Sequence, residues 1–141
     1  MSKCKSNSGS CLCGKVSFVA KNASQHVGTC HCRTCRKWGG SAFMEVDCGN
    51  EVEFSGEQNI SLFQSSDWAE RGFCKCCGTH LFYRLKSEQL HMMPVGLFED
   101  DAEFEFTTQV FIDEKPNYYA YSNKTECLTG EELFALYAPP K

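Results

Sequence analysis

At 141 residues the chain has the length of one domain, and 42% hydrophobic residues with eleven Phe supply a compact core. The formal charge is -4 and the Lys and Arg residues form no basic tract, which argues against nucleic acid as a partner. No apolar stretch approaches the roughly 18 residues that a bilayer span requires, so small molecules or other proteins are the expected partners.

The opening MSKCKSNSGS is polar and lacks the apolar run of a signal peptide. Residues 1–9 are therefore read as a flexible segment before a single domain at 10–141, and a reducing, cytoplasmic setting is expected. Period-two patterning follows. KVSFVA places Val16, Phe18 and Ala20 on one face, and SAFMEV, EVEFSG, ISLFQ, THLFYR, LHMMPVG and FEFTTQVFI read as further short strands. Glycines at Gly39-Gly40, Gly49 and Gly56 punctuate these runs as turns between antiparallel strands do. A helix is expected only at the end, in TGEELFALY. Thr129 and Glu132 stand at capping-box spacing there, and Leu133, Leu136 and Tyr137 share a stripe. The fold class is mainly β with a short C-terminal helix.

Eleven cysteines is an odd number, which excludes a fully paired disulfide framework, and clustered cysteines in a reducing compartment point to metal. A closed structural zinc site takes four ligands, normally as two close pairs. Cys11 and Cys13 make one pair, because alternate residues of an extended segment face the same way. FCKCCGT offers two registers for the other. Cys74 with Cys77 is preferred because Gly78 follows directly and tolerates the positive φ of a CxxCG knuckle, leaving Cys76 on its outer side. Joining the pairs closes a loop of about sixty residues, which restricts the unfolded chain considerably.

Cys30, Cys32 and Cys35 remain, three ligands in TCHCRTCRKW. His31 lies between two of them and should face away by the same alternation. Three protein ligands with one exchangeable position is the pattern of a catalytic zinc. Arg33, Arg36 and Lys37 stand beside these thiols, where positive charge favours thiolate and attracts an anionic ligand. Ser65, Ser66 and Arg71 precede the knuckle as candidate pocket contacts. His80 and His91 read as strand histidines, and Cys4, Cys48 and Cys127 as free thiols.

The ordered motifs CLCGKV, CHCRTCRKWGGSAFMEV, SSDWAERGFCKCCGTHLFYR, VGLFEDD and TQVFIDEKPNYY resemble the glutathione-dependent formaldehyde-activating enzyme and centromere protein V family over roughly Ser10 to Tyr119. The resemblance implies an Mss4-like fold of antiparallel sheets clipped by zinc. It implies a structural zinc at Cys11, Cys13, Cys74 and Cys77 and a second zinc at Cys30, Cys32 and Cys35, two ions per chain. It also implies a carbon-sulfur lyase that condenses formaldehyde with a thiol such as glutathione, as an S-(hydroxymethyl)glutathione synthase does. Arg33, Arg36 or Lys37 would then meet the carboxylates of the thiol substrate. The chain departs from the family pattern at Gln109, where many relatives carry His, and at Tyr118 or Tyr119, where they carry Trp. Two other classes compete with the lyase: a noncatalytic zinc-stabilised binding module, and a thiol-based redox or metal sensor built on the three-cysteine cluster.

Overall fold

The computed structural model describes residues 4–137; residues 1–3 and 138–141 lie outside them. In chain order the elements are β1 (Cys4–Ser10), β2 (Ser17–Ser24), β3 (His26–Cys30), α1 (Arg33–Gly39), β4 (Phe43–Gly49), β5 (Val52–Ser55), β6 (Ile60–Phe63), β7 (Ala69–Cys74), β8 (His80–Leu85), β9 (Leu90–Pro94), β10 (Glu105–Val110), β11 (Glu126–Leu128) and α2 (Gly130–Tyr137). Three strands form one antiparallel sheet in the order β1-β2-β5, and eight form another in the order β11-β10-β3-β4-β9-β8-β7-β6. The fold is mainly β.

Period-two alternation decides which residues meet. On β4, Val46 and Cys48 turn to the face that packs on the small sheet, where Phe18 and Ala20 of β2, Leu81 and Phe82 of β8 and Met93 of β9 complete the main core. Each large side chain fully buried there stabilises the fold by roughly 1.5–3 kcal/mol. The opposite face carries Phe43 across from Cys30, and a row in which Arg71 pairs with Tyr83 and Tyr83 with Met92. This second face receives α1 and the cysteines around it, a smaller apolar cluster built on Cys30, Cys35 and Phe43.

Three features differ from the sequence reading. Residues 4–10 are strand β1, paired along β2, although their polar character suggests a flexible segment. Their polar groups have partners: the buried Asn7 donates from Nδ2 to the Asp100 carbonyl at 2.8 Å. The large sheet is mixed, because β10 runs parallel to both β3 and β11. No hairpin turn joins these strands, so nothing local enforces an antiparallel pairing. Helix α1 was not expected, since its seven residues carry no apolar stripe.

Helix α2 begins where the sequence places it. Thr129 Oγ1 accepts from the Glu132 N–H at 3.1 Å and Glu132 Oε1 accepts from the Thr129 N–H at 2.8 Å, which is a complete capping box. Its expected stripe is only partly used. Leu133 is half-buried, Leu136 is 69% exposed, and Phe134 makes the edge-on contact to Phe111. The Tyr137 side chain lies outside the described residues.

Candidate functional site

Two turns bring the first cysteine cluster together. After β1 the chain folds back with the Cys11 N–H donating to the Val16 carbonyl and the Gly14 N–H to the Cys11 carbonyl. Between β7 and β8 the Gly78 N–H donates to the Cys74 carbonyl at 2.7 Å. Gly14 and Gly78 sit at φ of 80° and 81°, which a residue with a Cβ adopts only with strain. The sulfurs of Cys11, Cys13, Cys74 and Cys77 all lie within 4.8 Å of one another. Cys11 and Cys74 are buried while Cys13 and Cys77 reach the surface. Cys76 points elsewhere, its sulfur 3.7 Å from Asn59 Oδ1. Donors surround the cluster: the Val16 N–H meets Cys11 Sγ at 3.4 Å, and Thr79 Oγ1 stands 3.1 Å from Cys77 Sγ. Four sulfurs with such support fit a tetrahedral metal of the zinc type.

The second cluster holds three sulfurs, Cys30, Cys32 and Cys35, again within 4.8 Å. Cys30 closes β3, Cys32 is the N-cap of α1, and Cys35 lies in its first turn. The Cys35 N–H donates to Cys32 Sγ at 3.3 Å, so the thiol does what a serine hydroxyl does at a helix start. Arg71, 2% exposed, reaches across from β7 and donates from Nη2 to Cys35 Sγ at 3.4 Å. Its Nε and Nη1 have no hydrogen-bond partner among the described residues, and its guanidinium lies 5.0 Å above the Tyr83 ring. Hydrogen bonds from Cys30 and Cys35 draw the Cys32 thiol strongly down, while the bond to Cys32 pushes Cys30 strongly up. The trio thus shares its protons, as close groups of like charge must; a bound cation would let all three ionise. An all-sulfur set of three fits a zinc with one exchangeable position.

His31 lies between Cys30 and Cys32 in the chain and is fully buried, outside the group of three sulfurs. Gln109 Nε2 donates to Thr125 Oγ1, so Gln109 Oε1 accepts from His31 Nε2–H at 2.8 Å, and Nδ1 accepts from the Tyr119 hydroxyl at 2.7 Å. Burial, first of all, holds the imidazole pKa below its usual value. Gln109 and Tyr119, at or beside positions where the chain departs from the family pattern, therefore meet on one histidine. Adjacency in sequence could not reveal this. Replacing His31 with alanine should cost about 2–4 kcal/mol, because it empties a buried site and strands two polar partners. Urea unfolding would show the loss as a lower midpoint at unchanged slope.

Beside Cys35 opens a cavity of about 360 Å³, bounded by Trp38 of α1, Phe43 of β4, His80 of β8 and the turn at Val95–Leu97. Arg33, Arg36 and Lys37 do not line it. Arg36 Nε donates to the His31 carbonyl at 2.9 Å and so braces the cysteine loop, while Arg33 and Lys37 are exposed. Ser65 and Ser66 also stand outside the cavity. His80, its ring 5.0 Å from Phe43, is pulled down to about 4 by burial. The unfolded chain therefore binds a proton between about pH 6.5 and 4 that the folded chain refuses, and stability falls as pH falls through that window. Compared with His80→Gln, the wild type should lose roughly 2 kcal/mol more between pH 7 and 4.5, with partial exposure limiting the size. Thermal unfolding of both proteins against pH tests this.

Known proteins resemble this chain. The family model described as glutathione-dependent formaldehyde-activating enzyme matches residues 6–114. A protein of Schizosaccharomyces pombe named an uncharacterized lyase is 36% identical over 126 residues, covering 89% of this chain and 92% of its own. A putative glutathione-dependent formaldehyde-activating enzyme of Aspergillus oryzae is 35% identical over 81 residues, 54% of this chain and 42% of that one. A crystal structure of a Rhodobacter sphaeroides protein superposes with a TM-score of 0.56 at 23% identity, over 65% of this chain and 87% of that one, which bears on the fold alone. With both cysteine clusters and the match running through β1 to β10, the chain belongs to the glutathione-dependent formaldehyde-activating enzyme family.

Proposed function

We propose that this protein is a zinc-dependent carbon-sulfur lyase acting on a glutathione-type thiol or its aldehyde adduct. The observation that carries the reading is the three-sulfur cluster beside a cavity: Cys30, Cys32 and Cys35 would hold one zinc, and Cys35 also lines the space where a substrate fits. Cys11, Cys13, Cys74 and Cys77 would hold a second, structural zinc. A zinc with an open position supplies a Lewis acid that favours thiolate over thiol at neutral pH. The chain's own residues keep that position in place. The Cys35 N–H fixes Cys32, Arg71 holds Cys35, and Arg36 pins the loop through the His31 carbonyl. Arg33 and Lys37, exposed on α1 beside the cluster in sequence, would be the cations that meet a substrate carboxylate outside the cavity. Eleven unpaired thiols suit a reducing cytoplasm.

The names of the relatives support the same chemistry, and the test is direct. Purified protein with glutathione and formaldehyde should accelerate formation of the hydroxymethyl thioether adduct, and glutathione should shift the thiolate-to-metal absorption of cobalt-substituted protein. Adduct formation at the uncatalysed rate, with an unmoved cobalt spectrum, would remove the lyase reading.

A further inference from the structure

A one-carbon carbonyl needs little room, yet the solvent-open cavity beside Cys35 has a volume of about 360 Å³. That volume falls within the range of small-molecule sites. Its walls are mainly carbon. Trp38, Phe43, Pro94, Val95 and Leu97 line it together with the hydroxyl-bearing Ser41 and Thr79, and among the described residues no Lys, Arg, Asp or Glu does. His80 donates from Nε2 to the Phe82 carbonyl at 3.1 Å and stands edge-on to Trp38, and burial keeps its ring neutral near neutral pH. Polar hydroxymethyl groups gain little from such walls, whereas apolar surface gains roughly 25 cal/mol per Å² removed from water.

We infer that this cavity receives an apolar, aromatic-sized substituent on the carbonyl carbon, so that the protein handles thiol adducts of carbonyl compounds larger than formaldehyde. The assignment of the thiol rests on the lyase reading; that of the substituent rests on the cavity. The chemistry balances without an oxidant: the thiol sulfur bonds to the carbonyl carbon, the C=O π pair moves to oxygen, and that oxygen takes the thiol proton. The reverse step breaks the same carbon-sulfur bond and returns the proton to sulfur.

Two stable thioethers, S-methylglutathione and S-benzylglutathione, stand in for adducts with a small and a large substituent. Calorimetric titration of the zinc-loaded full chain should show the benzyl compound binding at least tenfold more tightly. Gly96 and Gly39 both line the cavity, and a Cβ on either meets no heavy atom within 4 Å. Gly96→Leu, or independently Gly39→Leu, adds bulk at the lining without a clash and should bring the affinity ratio close to one. Equal affinities in the wild type, or a ratio that survives both substitutions in folded variants, would overturn the assignment. Turnover of glutathione with formaldehyde and, separately, with benzaldehyde on the same preparation separates the two readings. A tenfold preference without turnover removes the lyase and keeps the cavity assignment; turnover without preference does the opposite.

Discussion

Cys77→Ser is expected to unfold the protein, whereas Cys35→Ser should keep the fold and lose one of two zinc ions. The contrast follows from where the clusters sit. Cys11 and Cys13 follow a strand of the small sheet, Cys74 and Cys77 join two strands of the large one, and Cys13 Sγ lies 3.8 Å from Cys74 Sγ across 61 residues of chain. A metal there ties the two sheets together and closes a long loop, which removes more unfolded-state freedom than a short one. Structural zinc sites bind with roughly 10–16 kcal/mol of free energy that is also folding free energy, so losing most of it is comparable to the whole stability of an ordinary domain, about 5–15 kcal/mol. Cys30, Cys32 and Cys35 span six residues of one loop, and a metal there crosslinks little. Zinc content per chain and the thermal unfolding midpoint of each variant decide the matter. Equal loss of structure in both would defeat the division into a structural and an open site.

Arg71→Met should weaken binding of the second zinc about 10–100-fold while leaving the first ion and the fold in place, the usual size of effect for a group that orients a metal ligand. Arg71 is buried, donates to Cys35 Sγ, and lies between the Trp38 and Tyr83 rings at 5.9 Å and 5.0 Å. Its charge compensates the crowded thiolates, and its planar fork is held by the two aromatic faces. Arg71→Lys should restore only part of the affinity, because a compact ammonium cannot span the same contacts. Competition against a metal chelator gives the affinity of each ion separately. An unchanged second affinity in Arg71→Met would reduce Arg71 to a packing residue.

Much of this protein is legible in one dimension because its chemistry is local. The cysteine spacing groups the sulfurs, although Cys11 and Cys13 meet across a turn closed by the Gly14 N–H and not along an extended segment; Gly78 marks the knuckle, and the alternation in THLFYR and LHMMPVG yields β8 and β9. Thr129 and Glu132 announce the start of α2 by hydrogen bonds three residues apart. Elements that carry no periodicity were invisible. Ala69–Cys74 is buried almost throughout and so does not alternate, and α1 is a short helix capped by a thiol rather than stabilised by an apolar stripe.

The sequence by itself determined the strand-rich class and the grouping of cysteines by proximity along the chain, because backbone alternation and turn chemistry act over a few residues. Only the tertiary structure decided that Arg71 meets Cys35, that Gln109 and Tyr119 share His31, and that an apolar cavity opens beside one cluster. Each of those contacts joins residues from strands or loops far apart in the chain. Sheet order and register bring them together, and no local spacing encodes that order.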